Sequence, residues 1–125
     1  MAGWPRILSA ASRIPASQPT VLAGVSGMVA GGANLICFST GRGSVYGCKP
    51  VPVTKLATNT EMYTRMEDDM DINCGQTIDS ATTVGEMGER IFRFLLEVAG
   101  GKKTKSELNG IGDNEFVPWY IGAVM

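Results

Sequence analysis

Thr40-Gly41-Arg42-Gly43-Ser44 is the stretch whose residue types most readily suit chemistry. Glycines let backbone N–H groups approach an anion, and an arginine fork grips a carboxylate or phosphate through two parallel hydrogen bonds. The stretch leaves the carboxyl end of an expected strand, where open α/β sheets hold their ligands. It lacks the Gly-Lys-Ser/Thr ending of a Walker loop and is no GxGxxG fingerprint. A plain tight turn would use the same residues. Lys55 falls inside a second expected strand and Asn59 just after it. A lysine there either faces solvent on an edge or neutralises a carboxylate or enediolate.

Glu67-Asp68-Asp69-Met70-Asp71 places four carboxylates in five residues. Such a cluster can hold a hard divalent cation, supply an acid or base with a raised pKa, or simply be a solvated helix end. Asp71 and Asn73 alternate, so an extended backbone puts both on one face. Glu107, Asn109, Asp113, Asn114 and Glu115 form a further polar cluster.

The chain contains no histidine. That excludes Ser–His–Asp and Cys–His catalysis within it, and any His-bound zinc. The three cysteines, Cys37, Cys48 and Cys74, are odd in number and widely spaced, which does not suggest a disulfide framework and fits a reducing cytoplasm. Cys37 lies in the apolar run Leu35–Phe38 and is expected to be a small buried hydrophobe. No catalytic residue is identifiable from these patterns.

The elements that must position these groups follow from periodicity. At 125 residues, with 44% hydrophobic and 18% charged residues, the chain has the size and composition of one globular domain. Gly24–Asn34 is small-residue-rich and reads as a tight helix or a turn. Leu35–Ser39 reads as a buried strand, and Val51–Thr58 as a second. Pro50 and Pro52 confine the second strand's start to an edge or an entry. Asn59 or Thr60 caps a short helix to about Glu67, and Ile72–Cys74 is a third extended piece.

The clearest element is a helix over Val84–Ala99. Thr83 and Glu86 have capping-box spacing. Val84, Met87, Ile91, Phe94, Leu95 and Val98 form one apolar stripe, expected to be core. Ser106–Met125 is expected to dock as an extended segment. Strands alternating with helices give an α/β fold: a small layered domain with a short, mostly parallel sheet and flanking helices.

Charge is segregated. Residues 1–60 carry five basic residues and no acid, while residues 61–125 carry all twelve acidic residues and six basic ones. The net charge of −1 argues against a nucleic-acid partner. No apolar run is long enough to span a membrane. Residues 1–25, rich in Ala, Ser and Pro, read as an atypical lead-in, non-native or poorly ordered, and residues 26–125 as the domain proper.

Four blocks resemble signatures of the altronate/galactarate dehydratase family. They are Asn34–Ser44, Lys55–Thr60 with Met62-Tyr63, Asp69–Gly75, and Gly112–Trp119 with Ile121–Met125. The last is similar to the altronate branch, although position 120 is Tyr where that branch suggests Gln. The resemblance implies the C-terminal portion of a longer hydro-lyase of hexuronate breakdown. It implies the conversion of D-altronate to 2-keto-3-deoxy-D-gluconate and water, with a divalent metal, iron or manganese.

Carried onto these residues, the resemblance assigns substrate contacts to Thr40, Gly41, Arg42, Gly43, Lys55, Asn59 and Asn73, and a metal contact to Asp71. It also implies a missing N-terminal portion, or a separate subunit, as the partner that completes the site. The chain alone is expected to be inactive. The alternative is a non-catalytic sugar-acid-binding, structural or oligomerisation module derived from such an enzyme.

Overall fold

In a computed structural model that describes residues 21–113, the chain builds a three-stranded parallel sheet covered on both faces. The N-terminal lead-in up to residue 20, the apolar tail 116–125, position 120, and Asn114 and Glu115 of the polar cluster lie outside the described residues.

Helix α1 (Val21–Ala30) leads into strand β1 (Ile36–Thr40), so it runs across the expected domain boundary at residue 25. Strand β2 (Val53–Ala57) is central and pairs with β1 in the register Ile36 to Val53 through Thr40 to Ala57. Strand β3 (Ile72–Asn73) pairs on its other side, Ile72 against Leu56 and Asn73 against Ala57. Helix α2 (Thr60–Arg65) makes the crossover between β2 and β3. A helical turn, α3 (Gln76–Asp79), follows β3, and then come α4 (Val84–Ala99) and a second turn, α5 (Lys105–Leu108).

Because neighbouring residues of a strand point to opposite faces, the register sorts the core. Ile36 and Val53 share one face with Val25 of α1 and with Tyr46, Cys48 and Val51, which lie between β1 and β2. That connection has no helix; an irregular stretch takes the covering role a crossover helix usually plays. Toward the carboxyl end of the same face, Ala57 packs with Met62 of α2 and Met70. Leu56 and Ile72 face the other way, onto Met87, Ile91 and Phe94 of α4. All of β2 is therefore buried. Pro50 and Pro52 sit at the entry to a central strand, where Pro52 accepts the Ile36 N–H through its carbonyl at 3.0 Å.

Helix α4 matches its expected bounds, with Thr83 accepting the Glu86 N–H and Glu86 accepting the Thr83 N–H. Those hydrogen bonds favour the ionised carboxylate and hold Glu86 below the usual carboxylate range. A lowered folded pKa contributes stability above the unfolded value, and this is lost as pH falls through the folded value. The melting-temperature advantage of wild type over Glu86→Ala should thus be complete at neutral pH and disappear in acid. A pH series of melts on the two proteins checks this.

Three expectations are corrected. Cys37 is exposed, because β1 is an edge strand of the sheet and α4, on the same face, packs against Leu56 and Ile72 of β2 and β3. Val84 is 80% exposed, whereas Met87 in the same turn of α4 is buried against Leu56 and Ile72. The segment after Ser106 is not extended at its start. Glu107 accepts the Thr104 N–H at 2.8 Å and nucleates the turn Lys105–Leu108. No helix among the described residues is long and apolar enough to cross a membrane.

Candidate functional site

The carboxyl ends of three parallel strands converge, and the side chains there are used mainly to lock the backbone. At the end of β1, Thr40 Oγ1 accepts the N–H groups of Arg42 and Gly43 at 3.3 and 3.2 Å, folding the loop back on the strand. Gly43 has φ +94°, and a Cβ there would lie 2.1 Å from Met66 Sδ. The left-handed backbone favours glycine, and a Cβ there would also push the Met66 side chain aside.

At the end of β2, Thr58 donates its N–H to the Thr40 carbonyl at 3.1 Å and its hydroxyl to the same oxygen at 3.2 Å. Asn59 uses both ends of its amide. Nδ2 donates to the Gly41 carbonyl at 2.9 Å, and Oδ1 accepts the Met62 N–H at 2.8 Å as the N-cap of α2. At the end of β3, Asn73 Oδ1 accepts the Gly75 N–H at 2.9 Å and Nδ2 donates to Thr60 Oγ1 at 3.2 Å.

The structure thus brings Thr40, Gly41, Arg42, Gly43, Asn59 and Asn73 to one end of the sheet. Thr58 and Thr60, which are not among the candidate site residues, stitch that end together. Their signals were membership of the Lys55–Thr60 block and, for Thr60, its place as a possible helix cap; nothing in their spacing marks them for a site. Arg42 is exposed, and its guanidinium has no hydrogen-bond or ion-pair partner among the described residues. A fork-shaped cation stands free on a rigid loop at the place where parallel sheets bind ligands.

Lys55 is not at that end. It lies mid-strand in β2, opposite Phe38, and is fully buried. Asp71 acts on backbone: Oδ2 accepts the Lys55 N–H at 2.8 Å and Oδ1 the Lys105 N–H at 2.9 Å, while its own N–H donates to the Lys55 carbonyl at 2.9 Å. Glu67 and Asp68 are exposed, and their carbonyls accept from Lys105 Nζ and, at 2.9 Å, from Asn109 Nδ2. The two polar clusters therefore do face each other, through main-chain oxygens. Among the described residues no group of three or more carboxylates or thiols could hold a metal ion, and both Asp71 oxygens are already engaged. These residues do not by themselves fit a divalent metal.

The cysteines are unsuited to nucleophilic work here. Cys48 is buried, and burial raises the Cys74 thiol above its ordinary value, with Arg90 opposing only in part.

Comparison with known proteins places the chain in a family. Over 75 residues, 60% of the chain, it is 48% identical to the galactarate dehydratase (L-threo-forming) of Escherichia coli. Over 84 residues, 67% of the chain, it is 34% identical to the altronate dehydratase of the same organism. Over 102 residues, 82% of the chain, it is 30% identical to the (2R)-sulfolactate sulfo-lyase subunit beta of Chromohalobacter salexigens. The matched stretch spans 14%, 17% and 24% of those relatives' lengths. Residues 13–124 match the family model described as D-galactarate/Altronate dehydratase, C-terminal, and the chain belongs to that family.

Proposed function

We propose that this chain supplies the carboxylate-binding wall of a sugar-acid hydro-lyase, with Arg42 as the residue that grips the acid. The observation that carries the reading is the free Arg42 guanidinium on a loop whose other polar side chains are spent on holding it still. Galactarate, altronate and sulfolactate, named for the relatives above, share a hydroxyl α to a carboxylate and a substituent on the next carbon. Elimination from such an acid removes the α-proton and expels the β-substituent. For a sugar acid the products are a 2-keto-3-deoxy acid and water.

As the α-proton leaves, negative charge grows on the carboxylate. Two parallel hydrogen bonds from Arg42 then strengthen where they are needed. D-Altronate, giving 2-keto-3-deoxy-D-gluconate, is the substrate suggested by the sequence signatures. The 48% identity to a galactarate dehydratase favours galactarate as a second reading. The base, and any iron or manganese, would belong to further protein, either a longer enzyme or a separate subunit. The three free thiols suit a cytoplasmic setting.

Thermal melts test this, using the chain with D-altronate, with galactarate, and with a neutral sugar alcohol as control. A bound acid at a hundredfold excess over its Kd should add about 2.7 kcal/mol of stability. Arg42→Lys keeps the charge but loses the fork, so it should weaken that acid about tenfold or more. An equal shift in Arg42→Lys would remove Arg42 from the site, and no shift with either acid would overturn binding by this chain. Binding without turnover when the remaining protein is supplied would mark a non-catalytic module.

A further inference from the structure

Among the described residues, β1 is an edge strand of the sheet. Parallel pairing uses the backbone groups of alternate residues. Ile36 donates to the Pro52 carbonyl at 3.0 Å, and the Thr40 carbonyl accepts from Thr58 at 3.1 Å. Ile36, Phe38 and Thr40 therefore turn their main-chain groups toward β2. Cys37 and Ser39 turn theirs outward, where no strand among the described residues pairs with them. Both residues are exposed.

Native proteins usually blunt such an edge with a lysine, a proline or a bulge. Ile36-Cys37-Phe38-Ser39-Thr40 has no charge and no proline, and its register with β2 is unbroken.

We infer that β1 pairs antiparallel with β1 of a second copy of this chain, about a two-fold axis at Phe38. The register accommodates that occupant. With Phe38 opposite its own symmetry mate, each Cys37 faces Ser39 of the other copy. The outward N–H and C=O groups of both residues then meet as hydrogen-bonded pairs, while Phe38 falls at the closer, non-hydrogen-bonded position. Facing aromatic rings there lie about 5 Å apart between Cβ atoms and reinforce the pair.

No charge between Asn34 and Gly41 opposes the approach. The half-buried rim of the adjoining core, Met28, Val29, Ala33 and Phe38, belongs to α1, β1 and the turn between them. Those side chains pack against the core that Ile36 of β1 enters. An isologous contact of this kind closes at two copies and leaves no further edge of its own type. The inference does not depend on the proposed sugar-acid site, which sits at the strand ends.

The test is sedimentation equilibrium of the whole chain over roughly a hundredfold range of concentration, with melts over the same range. The expected result is a dimer whose melting temperature rises with concentration. Amide exchange at Cys37 and Ser39 should slow in step with it. Ser39→Pro removes an outward N–H, and Cys37→Lys places a charge opposite Ser39 of the other copy. Each should weaken association about tenfold or more, and a concentration-independent melt of Cys37→Lys will show that its monomer is folded. A monomeric wild type at every concentration would overturn the inference. So would a dimer indifferent to both substitutions, or protection of those two amides only when another polypeptide is added.

Discussion

Asp71→Ala should lower the stability of this chain by about 2–6 kcal/mol, because two buried or half-buried N–H groups lose their acceptor together and each unsatisfied group costs about 1–3 kcal/mol. The two groups belong to Lys55, in the central strand, and Lys105, at the start of α5, 34 residues from Asp71. Asp71 thus ties β2, β3 and the C-terminal turn into one unit, just below the strand ends that carry Arg42. Asp71→Asn should fall between wild type and alanine, since an amide has one acceptor oxygen and turns a donor toward the other N–H. Metal-free chemical denaturation separates this role from a metal ligand's. A residue needed only for an ion would leave the metal-free midpoint unchanged. A clip for backbone N–H groups lowers it whether or not metal is added.

Gly75→Ala should be the most damaging change of a single methyl group. A Cβ at position 75 would lie 2.4 Å from the Thr60 nitrogen and 2.7 Å from the Asn59 carbonyl carbon. Both are backbone atoms at the cap of α2, so no side chain can swing away to make room. Overpacking against a well-filled interior costs about 1–3 kcal/mol, and rigid neighbours place this site at or above the top of that span. The consequence is also functional. Thr60 receives the Asn73 amide, and Asn59 holds the Gly41 carbonyl, so displacing residues 59 and 60 loosens the loop that presents Arg42. Gly75→Ala should therefore lower the midpoint and, in the surviving folded fraction, weaken sugar-acid binding. Gly27→Ala is the control, because a Cβ there meets nothing within 4 Å and the residue is in a helix. That change should be neutral or slightly stabilising.

Much of the frame was legible from local patterns. The Thr83–Glu86 box and the 3.6-residue stripe mark α4 to the residue, because capping and amphipathic periodicity are local signals. Asn59 reads as a cap for the same reason. The strand at Ile36–Thr40 also follows from its flanking turns, but its burial does not. An apolar run looks the same whether both its faces are covered or one lies open. Only the order β1-β2-β3 makes Cys37 an exposed residue of an edge.

The site shows the same division. The residue types and order in Thr40–Ser44 and Asp69–Gly75 contributed to a sugar-acid dehydratase family resemblance, and the comparison with known proteins shows that family. They were silent on which polar groups are free. Asn59 and Asn73 spend their amides on backbone atoms, Lys55 is enclosed mid-strand, and Asp71 clips two N–H groups, while Arg42 alone among these candidates keeps an exposed, uncommitted charged group. Residue type decides what a side chain can do. Whether it is still available depends on partners 16, 18 or 34 positions away, and only the folded chain brings those within hydrogen-bonding distance.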